Sequence, residues 1–268
     1  MALGPDNNFY FSVGNQLHRF DEITGDFIDV FVDGKSEGGL NSPQGLVFGP
    51  DGNLYVSSST ASEVIRYDGI TGKFINIFMK WTPTGGYGPN RITFGPDGHL
   101  YTSDLYGDNI LRFDGATGAF IDTFVVANGR LRRPEGLAFG PDGHLYINSG
   151  LGAVRRYDGG TGDFIDDFVI FGGPFVFGSK GNVFVGHRSK VRRYNATTRR
   201  YIDDFIVQNS GKRLAFGPDN NLYILEEGNR DILRFNGVSG AFIDTYISSS
   251  GEVGDFVFGH DGDIYLTS

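Results

Sequence analysis

The sequence predicts an all-β propeller, with four-stranded antiparallel blades set around a central channel. Three observations predict it. A phrase close to Phe-Gly-Pro-Asp-Gly-x-Leu-Tyr recurs along the whole chain. Its aromatic falls at Tyr10, Tyr55, Tyr101, Tyr146, Phe184, Tyr223 and Tyr265, at steps of 45, 46, 45, 38, 39 and 42 residues. A repeat of about 40–45 residues is the period of a four-stranded blade. The composition is that of an aromatic β core: 25 Phe and 13 Tyr against one Trp and two Met, with 42 Gly for tight turns. No segment sustains a 3.6-residue apolar period, so no helix longer than about two turns is expected.

Residues 137–168 show the elements in order. Leu137-Ala138-Phe139 is a short apolar strand. Gly140-Pro141-Asp142-Gly143 turns the chain, with Pro early and Gly where φ is positive. His144 to Asn148 is a second strand and Val154 to Tyr157 a third. Asp158-Gly159-Gly160-Thr161-Gly162 turns again, and Phe164 to Phe168 is the fourth strand. This is an antiparallel meander. The first strand is apolar at nearly every position, as a strand buried on both faces would be. It is therefore placed innermost, lining the channel. The fourth strand, with polar residues between its aromatics, is placed outermost.

The repeats divide one domain, 1–268, at about 1–45, 46–91, 92–136, 137–174, 175–213 and 214–255, with a partial copy at 256–268. A copy cannot bury its apolar faces alone and must stack on its neighbours. Two closures follow. In the favoured one there are seven blade positions, the last incomplete. The alternative is a six-bladed ring, in which 256–268 completes the blade of the first repeat and displaces residues 2–13. Displacement would waste a good strand, Asn8 to Ser12. In the seven-position ring, strand 263–268 would be an open edge able to pair with a second copy.

These motifs resemble the NHL-repeat and streptogramin-lyase-like β-propellers of bacteria, repeat by repeat. The resemblance implies a fold that hosts lyases, lactonases and binding platforms. In the lyases of this type it implies a histidine base and an acid-bound divalent cation at the channel mouth. No local motif here matches theirs closely enough to carry a residue across.

Net charge is −9 and the isoelectric point near 5.0, so a nucleic-acid face is not expected. The absence of cysteine excludes disulfides, thiolate metal sites and thiol nucleophiles. No apolar stretch approaches the length of a membrane span. The N-terminus lacks the features of a signal peptide, so a secreted or cell-surface location would require that a signal segment has been removed.

Function is sought where the copies differ. Two and three positions beyond the second-strand aromatic, most repeats carry small hydroxyl residues. Asp104, His187 and Glu226 break that pattern. A histidine and carboxylates converging on a channel mouth could supply a base and its orienter, or hold a divalent cation. Otherwise they are solvated loop residues, and no metal or other cofactor is called for. The loops entering each first strand vary most. One carries Trp81 and Tyr87, the next Arg130, Arg132 and Arg133. An aromatic surface beside clustered guanidinium groups would suit a carbohydrate or protein ligand, or a carboxylate or phosphate. Alternatively Trp81 caps its own blade and the arginines pair with nearby acids. The primary expectation is a non-catalytic binding propeller presenting rim loops to a protein or glycan. The alternative is a metal-assisted lyase or lactone hydrolase. An engineered or trimmed propeller is a further alternative.

Overall fold

The structure is a computed structural model. It describes all residues except 1, 22–25, 36, 83–87, 151, 171, 179, 210, 212, 227–230, 249–252, 254, 259–263 and 268. Six antiparallel sheets of four strands follow one another along the chain. The first is β1 (Ala2–Leu3), β2 (Phe9–Val13), β3 (Gln16–Phe20) and β4 (Phe27–Val32). The second is β5 (Pro43–Phe48), β6 (Leu54–Ser58), β7 (Glu63–Tyr67) and β8 (Phe74–Lys80). The third is β9 (Ile92–Phe94), β10 (Leu100–Asp104), β11 (Asn109–Phe113) and β12 (Phe120–Val125). The fourth is β13 (Pro134–Phe139), β14 (Leu145–Ser149), β15 (Ala153–Tyr157) and β16 (Phe164–Val169). The fifth is β17 (Phe175–Phe177), β18 (Asn182–His187), β19 (Lys190–Asn195) and β20 (Tyr201–Val207). The sixth is β21 (Arg213–Phe216), β22 (Leu222–Leu225), β23 (Ile232–Phe235) and β24 (Phe242–Ile247). Each sheet pairs its strands in chain order, as expected of a meander. Among the described residues no helix is long and apolar enough to cross a membrane.

The blade count is six, which corrects the seven-position expectation and agrees with the six-bladed alternative. The seventh repeat supplies only two strands, β25 (Asp255–Phe258) and β26 (Ile264–Thr267). They pair with each other, Val257 opposite Tyr265. Phe256 and Phe258 pack with Tyr223, so the pair rests against the sixth blade. The inner position of the first blade is held by β1, with Ala2 opposite Tyr10, and residues 2–13 are not displaced. A period counts copies of a phrase. A blade needs four strands, and the last copy has the phrase but too few strands to make one. The edge proposed for self-association, 263–268, has both its end residues outside the described ones.

The repeated phrase has a physical reason. The turn Asp accepts a backbone N–H two residues on, as Asp51 Oδ1 does from Asn53 at 3.1 Å. Its other oxygen accepts the hydroxyl of the second-strand Tyr: Tyr10 to Asp6 at 2.8 Å, Tyr55 to Asp51 at 3.0 Å, Tyr101 to Asp97 at 2.8 Å, Tyr146 to Asp142 at 2.9 Å and Tyr223 to Asp219 at 3.0 Å. In the fifth blade the aromatic is Phe184 and the turn, Gly178-Ser179-Lys180-Gly181, has no Asp. Acceptor and donor are missing together. The Asp-x-x-Thr turns are equally self-contained, since Asp68 Oδ1 accepts both the N–H and the hydroxyl of Thr71, at 2.8 and 2.7 Å.

Blades meet through aromatic pairs. Phe48, Phe94, Phe139, Phe177, Phe216 and Phe258 do occupy equivalent places, each edge-on to the aromatic of the preceding blade at 4.5–5.0 Å. They are half-buried, not fully buried as the sequence suggested. The fully buried strand is the second: β6 and β10 are buried at every residue. The first strand lines an open channel, so one of its faces meets solvent space.

Candidate functional site

The second and fourth strands end at the same face of the disc, because the four strands of each blade alternate in direction. There the hydroxyl slots prove to be latches. Ser57 Oγ accepts the Gly45 N–H at 2.7 Å and donates to the Asn90 carbonyl at 3.0 Å, tying the second blade to the loop entering the third. Ser103 Oγ accepts the Arg91 N–H at 3.0 Å. One position on, Ser58 Oγ donates to the Asn41 carbonyl at 3.0 Å and Ser149 Oγ to that of Arg132 at 2.7 Å. A short hydroxyl suits this slot because it reaches the passing loop without filling the channel mouth.

Asp104, His187 and Glu226 occupy that second slot in the third, fifth and sixth blades. Glu226 Oε1 accepts from Asn209 Nδ2 at 2.8 Å, so it holds its loop as the serines do. Asp104 is buried and Oδ1 accepts the Gly107 N–H at 2.9 Å, which closes its own loop. His187 sits opposite Lys190 at the end of the β18–β19 hairpin. Its pKa lies below the ordinary histidine value, first through desolvation and then through the nearby Arg192 and Arg188 charges. The imidazole is therefore held neutral at pH 7. Among the described residues no group of three or more His, Asp or Glu is placed to hold a metal ion.

The sign of the His187 shift gives a pH prediction. Between the depressed native value and the unfolded value near 6.5, the unfolded chain binds more protons, so stability falls as pH is lowered through that window. His187→Asn is expected to remove that part of the acid sensitivity. Urea melts of both proteins from pH 7.5 to 5 check it, and parallel pH profiles would refute the shift.

Trp81 stacks on Phe120 of the next blade, centroids 5.2 Å apart, and stands edge-on to Phe113 at 6.4 Å. Arg130 does the same one blade on, with its guanidinium 4.5 Å from the Phe164 ring centre. Tyr87 lies outside the described residues. Arg132 and Arg133 are exposed and line a small pocket of about 280 Å³ with Leu105, Tyr106, Asp108 and Gly150. Among the described residues no cation–π contact joins Trp81 to these two arginines; its ring contacts are with Phe113 and Phe120.

A cavity of about 1110 Å³ opens at the channel mouth. Its walls are first-strand residues, among them Leu137, Phe175 and Leu214. Its rim carries Arg91, Arg188, Arg213, Asn148 and one carboxylate, Glu135. Arg91 reaches across the seams: Nε donates to the Glu135 carbonyl and Nη1 to that of Gln44, both at 3.3 Å. Arg188 directly follows His187 in the sequence, whereas Arg91 and Arg213 adjoin none of the residues that break the hydroxyl pattern. The signal available was a charge directly before an apolar first strand, in Arg91-Ile92 and Arg213-Leu214.

Neither a protein-family model nor a curated protein matches the sequence. Solved structures do match. A streptogramin B lyase aligns at 17% identity and a TM-score of 0.75, covering 98% of this chain and 87% of its own. A catalytically inactive virginiamycin B lyase from Staphylococcus aureus with quinupristin aligns at 17% identity and 0.70, covering 95% and 85%. A chain of the mitotic checkpoint complex aligns at 13% identity and 0.72, covering 97% and 80%. At such identities the likeness establishes the propeller fold and no more.

Proposed function

We propose that this chain is a non-catalytic binding propeller of the NHL-repeat and streptogramin-lyase-like kind, whose channel mouth and rim loops take an anionic ligand. The carrying observation is the 1110 Å³ cleft rimmed by Arg91, Arg188 and Arg213 with a single carboxylate, in a chain of net charge −9. Guanidinium groups grip carboxylates bidentately, and a cleft of one sign focuses its field on an incoming anion. The test is calorimetric titration with galacturonate, with galactose as the neutral control. Galacturonate is expected to bind, galactose not, and Arg213→Gln to weaken binding about tenfold, the effect of one charge-assisted hydrogen bond. Equal binding of the two sugars, or no effect of the substitution, would refute it.

The alternative reading, a metal-assisted lyase or lactone hydrolase drawing on His187, Glu226 and Asp104, is supported by the fold likeness to the two lyases. Metal analysis of protein purified without chelator discriminates: a stoichiometric divalent ion would favour it.

A further inference from the structure

We propose that the side pocket at Arg132 and Arg133 is a second anion subsite, and that the ligand is an anionic oligosaccharide spanning it and the channel mouth. This rests on the binding reading above. Three observations carry it. First, the two cavities touch: Gly150 lines both. An ideal Cβ at Gly150 would lie 2.9 Å from Arg133 Cβ and 3.2 Å from Glu135 Oε1, so the partition between them has no room for a side chain.

Second, the charges of Arg132 and Arg133 are uncommitted. The strand arginines of this acidic protein are paired, as Arg19 with Asp29, Arg112 with Asp122, Arg155 with Asp167 and Arg234 with Asp244. Among the described residues no carboxylate bridges the Arg132 or Arg133 guanidinium. The one acid in the pocket, Asp108, spends Oδ1 on the Arg133 backbone N–H at 2.7 Å. That bond holds Arg133 at φ 45°, a left-handed conformation uncommon for a long side chain.

Third, the pocket's backbone is already used. The Arg132 N–H donates to Ser149 Oγ at 3.4 Å, and the Gly150 N–H to the Arg132 and Arg133 carbonyls at 3.0 and 2.9 Å. An acidic peptide adding as a strand needs open backbone groups. What the pocket offers is side chains: two guanidinium groups and the Tyr106 ring, 54% exposed. An aromatic face beside guanidinium groups suits the apolar face and carboxylate of a uronic acid ring. Two such sites meeting at Gly150 call for a ligand with repeated charges, and joining two weak sites raises affinity by effective concentration.

The test compares galacturonate with its linear hexamer by calorimetry. The variants are Arg132→Gln/Arg133→Asn, with Asn chosen because it tolerates positive φ, and Tyr106→Ala. Wild type is expected to bind the hexamer at least about tenfold more tightly than the monomer. Both variants should lose that advantage while keeping monomer affinity and Tm. A sulfated hexasaccharide and hexaglutamate complete the set. Hexamer advantage surviving in both variants, or hexaglutamate binding as tightly as the hexamer, overturns the subsite and leaves the channel-mouth reading intact. If neither galacturonate, its hexamer nor the sulfated sugar binds wild type, the underlying reading fails, and the subsite with it.

Discussion

Replacing Tyr101 by alanine is expected to destabilise the protein by about 3–5 kcal/mol, the usual range for removing a buried large aromatic. Tyr101 is fully buried on β10 and serves two blades. Its ring is edge-on to Phe124 of its own blade at 4.9 Å and to Phe139 of the next at 5.0 Å. Its hydroxyl donates to Asp97, and burial ahead of that acid pushes its pKa up to about 12. Tyr101→Phe keeps the ring and loses the hydrogen bond, so about 1 kcal/mol is expected. The fifth blade supplies a control, because it has Phe184 and no turn Asp. Combining Tyr101→Phe with Asp97→Ser should therefore cost less than the two singles together. Urea unfolding measures the four variants against wild type. A Tyr101→Ala loss below about 1 kcal/mol would show that the ring does not join the blades.

Arg156→Met should cost about 3–5 kcal/mol, because it removes the buried cation shared by Asp142 and Asp166, leaving Asp142 without one among the described residues and Asp166 with only the more exposed Arg199 at 3.2 Å. The Arg156 side chain is 7% exposed and its partners Asp142 and Asp166 are 7% and 10% exposed. Nη1 donates to Asp142 Oδ2 at 3.1 Å and to the Ala196 carbonyl at 2.8 Å, and Nη2 to Asp166 Oδ2 at 2.9 Å. The equivalent pair in the third blade, Arg112 with Asp122, is 18% and 43% exposed. Solvent screens it, and Arg112→Met should cost only about 1 kcal/mol, including the contact over Phe124. Thermal melts of the two variants check the contrast. Equal losses would mean that burial does not set the worth of this pair, and Asp166→Asn should partly rescue Arg156→Met.

The architecture was legible because each blade repeats the same local solution. Turn Asp, strand Tyr and the next blade's Phe recur in one phrase, so their periodicity reports the fold directly. Blade number was less legible, since β25 and β26 carry the phrase without the strands of a blade. The burial order was misjudged for a related reason: Leu137-Ala138-Phe139 is apolar yet borders an open channel. Local composition does not reveal how wide a ring is. The candidate site was legible only in part. Arg132 and Arg133 stand out as a charged pair within one loop. Arg91, Arg188 and Arg213 are single residues from three blades, and only ring geometry brings them to one rim. Asp104 and Glu226 broke a consensus whose role, holding a passing loop, cannot be seen until the loop is in place.

Each described sheet hydrogen-bonds strands that are neighbours in the chain, and blades touch one another through side chains such as Tyr101 and Phe139. Folding can therefore proceed by closing short hairpins, with little entropy lost to long-range loop closure. A folded blade then offers the next one a prepared aromatic socket, so order spreads from neighbour to neighbour, as in an array of coupled units. An early-folding variant and a late-folding one would differ by which blade carries the change, not by which type of contact is removed. The same wiring means that damage to one blade is felt first by the two beside it.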